Sequence, residues 1–442
     1  MIRTVWRLRT AVASFVAAFV IAAAAAEPAL AGSGYTVGPI SDISAACPGL
    51  SGDIEQAVDP RGDDVYVAWE GCSDQIGFAV STDGGSTFAP ASAIPGSYGA
   101  WDPMVAVGPG GTVYVLFMVT RYTRSFPVLA ISHDHGETFS HETWLWPPVA
   151  NNWGDEPYMA IAPDGKIYVT WDEGPSASEV TIVCAKGGSC YFTAGDVNAV
   201  IQSSTDGGLT FGPISYISPG YPASGADAAP IVVAPNGTLD VLYQGYSITN
   251  PATLTFGPGY AYFTRSSDGG TTWSPPVAVD SSAGTETPDE WWNDGSIGID
   301  TAGNLYAVWD TQTSTTDTGW LSYSTDGGAS WSPALQGPTD DEPVPHNMEV
   351  IGGPAGTAYV GWVSDDNPAG YAAYLRLFSI ASGWLSPPAQ ISTQYGGPSV
   401  APGDTFGLSA LSPTQLVLSW GSAVPPHRWY ESVFAAPVTV SF

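Results

Sequence analysis

Positive charge is scarce in this chain. Eleven lysines and arginines face 42 aspartates and glutamates in 442 residues, a net charge of −31. Such a surface repels nucleic acid and anionic membranes. It also disfavours polyanionic glycans unless arginines cluster locally. Cysteine is rare as well, with 4 residues, and the "CAKGGSC" stretch has no histidine or cysteine companions nearby, so a zinc site finds little support. Helical periodicity and helix caps are almost missing, which argues against helical and α/β architectures. No apolar run after residue 26 is long enough to span a bilayer. Disorder is excluded by a 12% aromatic and 44% hydrophobic content.

What is present begins with a processing signal. Arg3, Arg7 and Arg9 precede the apolar run Ala11 to Ala26, and Ala29-Leu30-Ala31 forms a small-x-small cleavage pattern. This predicts a secretory signal peptide over 1–31 and a secreted single domain over 32–442, free of the membrane after cleavage. In an exported chain the even set Cys47, Cys72, Cys184 and Cys190 suggests two disulfides out of three connectivities. Closeness in sequence favours Cys184–Cys190, which leaves Cys47–Cys72.

Two repeats then organise the chain. One is a strand rich in β-branched and aromatic residues: "VYVAW" (65–69), "VYVLF" (113–117), "IYVTW" (167–171), "LDVLY" (239–243), "LYAVW" (305–309), "AYVGW" (358–362) and "LVLSW" (416–420). Before these strands lie another apolar run and a tight turn, as in "MAIAPDGK" and "IVVAPNGT". The second repeat is "STDGGSTF" (81–88), "SHDHGETF" (132–139), "STDGGLTF" (204–211), "SSDGGTTW" (266–273) and "STDGGASW" (324–331). Together they predict four-stranded antiparallel blades and an all-β, seven-bladed propeller. Six blades would require two hairpins to share one blade. The seventh blade lacks a strand, and "YTVGPISDIS" (35–44) has no blade of its own. That N-terminal strand is expected to complete the last blade and close the ring.

The pattern S-x-D-x-G-x-[TS]-[WF] resembles the Asp-box, or BNR repeat, of the sialidase superfamily, and the resemblance spans the mature chain as architecture. It implies that the turn joins the third and fourth strands at the periphery, away from the active site. Asp83, Asp134, Asp206, Asp268 and Asp326 are therefore read as structural, their carboxylates accepting amide hydrogen bonds across the turn. The trailing Phe or Trp is expected to return to the blade interior. Sialidases in this superfamily grip a carboxylated sugar with three arginines, the first in an Arg-Ile-Pro-like motif. That motif is missing here. Of the arginines, Arg121, Arg124 and Arg428 are expected at the mouth, whereas Arg61, Arg265 and Arg376 are not. A true sialidase is not expected.

A propeller places its ligand at one mouth of the central channel. Aligning the innermost strands puts Asp53, Asp102, Glu156, Asp294 and His346 in one register, with Asp227 and Asp404 slightly offset. The second strands end in Glu70, Asp172, Glu173, Asp310, Asp365 and Asp366, and Trp101, Trp153, Trp291 and Trp292 interleave. Carboxyl pairs can act as acid and base or nucleophile on a glycosidic bond, and indoles stack on sugar faces. The catalytic candidates are Glu156, Asp294, His346 and Tyr430. Trp101, Asp102, Trp153, Trp291, Trp292, His427 and Arg428 are candidate ligand-binding residues. A hydrolase or a lyase fits this set. The competing reading is a non-catalytic extracellular scaffold that binds protein, the acids capping backbone amides and the tryptophans packing. No cofactor is required. A structural calcium ion could use Asp155, Glu156, Asp172 and Glu173, without EF-hand spacing. The protein is expected to be a monomer with a carbohydrate or extracellular protein partner.

Overall fold

The structure, a computed structural model, describes residues 34–47, 49, 51–147, 152–174, 181–184, 190–194, 197–218, 224–227, 229–250, 255–279, 291–312, 317–337, 345–364, 372–393, 405–422 and 432–441. Side chains are described for all of these except 181–184, 190–194, 224, 227, 246–250, 255–259, 291–294, 311–312, 317 and 345–346. The expected signal peptide over 1–31 lies outside these residues.

Seven antiparallel sheets form the seven blades, and a separate two-stranded hairpin is inserted in the third. Blade 1 runs through Gly52–Val58, Val65–Gly71, Gln75–Ser81 and Ser92–Ala93. Blade 2 uses Ala100–Val107, Val113–Arg121, Arg124–Ser132 and His141–Trp144. Blade 3 begins with Trp153–Ile161 and Ile167–Gly174 and ends with Asn198–Ser204 and Ser215–Tyr216. Its inserted hairpin, Thr181–Cys184 with Cys190–Ala194, sets Cys184 opposite Cys190 in backbone register. The later blades start at Ser224–Asp227, Trp291–Ile299, Pro345–Gly352 and Gly407–Ser412. In blade 7 the strand Gly34–Val37 pairs antiparallel with Ser432–Ser441, so the N-terminal segment supplies the outer strand.

The seven "VYVAW"-type strands are second strands, buried on both faces, which explains their nearly continuous apolar reading. Their closing aromatics, Trp69, Phe117, Trp171, Tyr243, Trp309, Trp362 and Trp420, are buried. Gly77 stands opposite Trp69 because a Cβ there would come within 2.3 Å of the indole. The core is divided among seams. One joins Tyr66 and Phe78 of blade 1 to Val115 and Phe117 of blade 2. Another joins Trp69 of blade 1 to Val417 and Val433 of blade 7. Gln56 crosses that second seam, donating Nε2 to the Val417 carbonyl at 2.6 Å. The disulfide Cys47–Cys72 ties the N-terminal segment to the second hairpin of blade 1.

The Asp-boxes join third to fourth strands. Asp206 Oδ1 accepts the Thr210 amide at 2.9 Å, and Ser204 Oγ accepts the Gly208 amide at 2.9 Å while donating to Asp206 Oδ1 at 2.7 Å. The hydrogen bonds recur at Asp83, Asp134, Asp268 and Asp326. They hold Asp134, Asp206, Asp268 and Asp326 down at about 2, the hydroxyl of the residue four places on contributing most. The trailing aromatic does not fill its own blade. Phe139 of blade 2 packs edge-on against Phe78 of blade 1, and Trp331 of blade 5 against Phe263 of blade 4. The turn delivers the ring to the seam, where neighbouring blades diverge and leave space.

Candidate functional site

The innermost strands start with a repeated distortion. Ladder register shifts between Gly52 and Ile54, Trp101 and Met104, Asp155 and Tyr158, Asn293 and Ser296, and His346 and Glu349. Within these bulges Asp53, Asp102, Glu156 and Asn347 have φ of 46°, 45°, 48° and 53°. This left-handed region is costly for a side chain, least so for Asp and Asn. Asp53, Asp102, Glu156 and Asp294 therefore share the expected register. In blade 6 the position belongs to Asn347, and His346 precedes the bulge, paired with Val363. The shift comes from turn length. In blade 1 the Asp59 amide reaches the Asp64 carbonyl, whereas in blade 6 Gly353 reaches Thr357, one residue shorter.

The bulges of blades 1 and 2 bring carboxylates together. Oxygens of Asp53, Glu70 and Asp102 lie within 4.8 Å of one another. Beside them opens a cavity of about 520 Å³ whose lining includes Ser51, Asp53, Glu70, Tyr98 and Trp101. Trp101 Nε1 donates to Asp155 Oδ1 at 2.9 Å. Asp155 is pushed above the ordinary carboxylate range by burial, with the Asp53 charge adding to the shift, and hydrogen bonds with Asp102 and Trp101 hold it back. Asp102 thus hydrogen-bonds Asp155, a carboxyl whose burial favours its protonated form.

A second acidic pair lies on the propeller axis. A channel of about 360 Å³ is lined by innermost-strand residues that include Glu55, Met104, Tyr158, Ile231, Ser296 and Glu349. Burial raises Glu55 well above its usual value, and the nearby Glu349 raises it further. Glu349 is pushed up to about 8 by burial, eased by the Ser296 hydroxyl. Glu55 escapes a sequence reading because "GDIEQAV" looks like an ordinary alternating strand with Glu on its solvent side.

Other expected residues are dispersed. Asp172 and Asp310 are fully buried, so they do not line an open mouth. Glu173 is pushed up to about 7 by burial. Trp153 and Glu156 are half-buried at the start of blade 3. Arg61 pairs with Asp59 in a first-turn loop, Arg265 with Asp240, and buried Arg376 donates Nε to the Ser386 carbonyl. Arg121 and Arg124 face each other across the mouth-side hairpin of blade 2. His135 Nδ1 sits 3.5 Å from Asp64 at the Asp-box end. The side chains of Trp291, Trp292, Asp294 and His346, and of Cys184 and Cys190, are outside the described set. Asp365, Asp366, Asp404, His427, Arg428, Tyr430 and Glu431 lie outside the described residues altogether.

The ring and its repeated turns define an Asp-box β-propeller. The BNR/Asp-box repeat model matches residues 322–333, the fifth copy of the turn. No curated protein matches the sequence. Solved structures share the fold at low identity. A protein of unknown function from Dyadobacter fermentans is 16% identical, with a TM-score of 0.53 over 77% of this chain and 94% of its own. The polysaccharide lyase Uly1 is 9% identical, with a TM-score of 0.56 over 88% and 89%. The alpha-L-arabinanase of Penicillium chrysogenum, solved with arabinobiose, is 15% identical, with a TM-score of 0.50 over 92% and 98%.

Proposed function

We propose that this chain is an extracellular propeller that binds and cleaves a glycan at the carboxylate-lined mouth of blades 1, 2 and 3. The observation that carries the reading is the convergence of Asp53, Glu70 and Asp102 beside a cavity walled by Trp101 and Tyr98. Aromatic walls and paired carboxyls suit a sugar ring and its glycosidic bond. Two similar folds, a polysaccharide lyase and an arabinanase, support a carbohydrate partner. The Cys47–Cys72 bridge supports an oxidising, extracellular setting.

In this reading Asp102, hydrogen-bonded to Asp155, is the general acid. It protonates the glycosidic oxygen as the C–O bond breaks. The Asp53 or Glu70 carboxylate adds to the anomeric carbon. Water then displaces that carboxylate and returns a proton to Asp102. Oxygens within 4.8 Å suit the shorter carboxyl separation of retaining enzymes, about 5–5.5 Å, over the longer inverting one. The chemistry needs no cofactor. A calcium ion at the blade 3 carboxylates is a separate, structural proposal.

The test is cleavage of a panel of polysaccharides and glycan hexasaccharides by the wild type and by Asp102→Asn. The expected result is a new reducing end without an unsaturated sugar, lost in the variant. An unsaturated product would make the protein a lyase. Cleavage that survives Asp102→Asn but fails in Glu156→Gln, Asp294→Asn, His346→Ala or Tyr430→Phe would move the chemistry to those residues. Binding of an extracellular protein with no glycan bound would establish the scaffold instead.

A further inference from the structure

Four of the seven large exposed apolar side chains among the described residues lie at one corner of the mouth. These are Tyr98 at 66% exposure, Tyr122 at 84%, Trp144 at 44% and Trp146 at 40%. Trp144 and Trp146 alternate with buried Leu145 at the end of the outer strand of blade 2, so both project to one side. Their rings stack at 5.9 Å with an angle of 14°. The Arg124 guanidinium lies 5.0 Å from the centre of Trp146. Phe126 supports both indoles, at 5.7 and 4.8 Å. Trp146 thus contacts both a cation and a second indole, that of the partly exposed Trp144. Tyr122 extends the patch from the hairpin tip, 6.4 Å from Trp146.

A concentration of exposed rings on a strongly charged protein marks an interaction site. This one is continuous with the mouth. Arg121 donates Nη2 to the Tyr98 carbonyl at 3.1 Å, and Tyr98 lines the cavity that holds Asp53 and Glu70. A ligand running from the cavity to the patch passes carboxylates first and then meets rings and guanidinium donors. A net charge of −31 and the acidic mouth work against a polyanion. A neutral glycan meets both environments, with apolar sugar faces for the rings and hydroxyl oxygens for arginine donors.

We propose that Trp144, Trp146 and Tyr122, braced by Arg124, form a rim subsite for a neutral glycan chain whose other end occupies the mouth. This inference rests on the glycan reading above and adds the class of chain and its direction, outward over blade 2.

The experiment uses the full secreted chain and calorimetric binding of arabino-, xylo-, manno- and cello-hexaose, the matching disaccharides, and hexagalacturonate. The variants are Trp144→Ala, Trp146→Ala and Tyr122→Ala, with melting curves to confirm folding. The expected result is binding of at least one neutral hexaose, weakened about tenfold or more by each tryptophan substitution, while binding of its disaccharide at the mouth is unchanged. Arg124→Lys, which keeps the charge but not the planar brace, should weaken the hexaose less than Trp146→Ala does. Wild-type hexaose affinity in all three rim variants would overturn the rim subsite and, where Asp102→Asn still abolishes cleavage, leave the mouth reading intact. Preference for hexagalacturonate over every neutral chain would overturn the neutral class. Failure of every sugar to bind the wild type would overturn both readings.

Discussion

The indole nitrogen of Trp101 in blade 2 donates to Asp155 of blade 3 at 2.9 Å. The bond crosses a seam and ties the aromatic wall of the mouth to a half-buried carboxyl. It stabilises ionised Asp155 against burial. Trp101→Phe keeps a ring but removes the donor. It should cost about 0.5–1.5 kcal/mol of unfolding free energy, measured by urea titration, because a half-buried acceptor loses one of its hydrogen bonds. It should also move any acid limb that Asp155 contributes to higher pH. A variant with wild-type stability and an unmoved pH profile would show that the bond does neither.

Asp102 is expected to matter more for turnover than for folding. Asp102→Asn preserves the polar bulge, and Asn tolerates φ near 45°. Cleavage of the best glycan should fall by about 100-fold or more, with a melting temperature close to wild type. Asp102→Ala should lower the melting temperature as well, since alanine tolerates that backbone poorly.

The axial pair predicts a pH dependence of stability. Glu349 is raised from an ordinary 4.5 to about 8 in the folded chain. The folded state therefore binds more protons than the unfolded state between those values, so stability falls as pH rises through that window. Glu349→Gln should flatten the slope and melt at a higher temperature than wild type near pH 8. Parallel wild-type and variant curves from pH 5 to pH 8 would contradict this.

The Asp-boxes predict the opposite acid behaviour. Asp134, Asp206, Asp268 and Asp326 are held at about 2. Their contribution is complete above the ordinary carboxylate range and is lost as pH falls toward 2. Because Asp206 is exposed, Asp206→Ala should have only a modest effect. Ser204 is buried and accepts the Gly208 amide. Ser204→Ala should cost about 1–3 kcal/mol, since that amide loses its partner. Equal melting temperatures for wild type and Ser204→Ala would show that the turn does not need the serine. Glycan binding by the folded fraction should survive both changes.

The Cys47–Cys72 bridge closes a loop with a sequence separation of 25. Replacing both cysteines with serine should cost about 2–4 kcal/mol through the freed unfolded chain. The N-terminal segment should become protease-sensitive before blades 2 to 6 do. Unchanged proteolysis would show that the pairing with Ser432–Ser441 is sufficient to hold it.

Much of the fold was legible because its signals are local. Seven doubly buried second strands and five Asp-box turns each announce themselves within a few residues. The site was only partly legible. Asp53 and Asp102 stood out by register, but the same counting chose His346 where the bulge carries Asn347, since blade 1 alone has the longer turn among those compared. Asp172 and Glu70 both follow a second-strand tryptophan, yet one is buried and the other lines the mouth. The stacked pair Trp144 and Trp146 carries no sequence signal, because it sits beyond an Asp-box, at the end of an outer strand with no repeated pattern.

Strand period, turn chemistry, blade count and acidic character are all set by the order and composition of the residues. All of these depend on neighbouring residues or on composition. Packing sets which acids meet, that Glu55 lies near Glu349 along the axis, that the Asp-box aromatics fill seams, and that Trp146 contacts both Arg124 and Trp144. Those relationships arise between blades or across strands. Their distances follow from blade angle, bulge position and strand direction, and a one-residue change in any turn resets them.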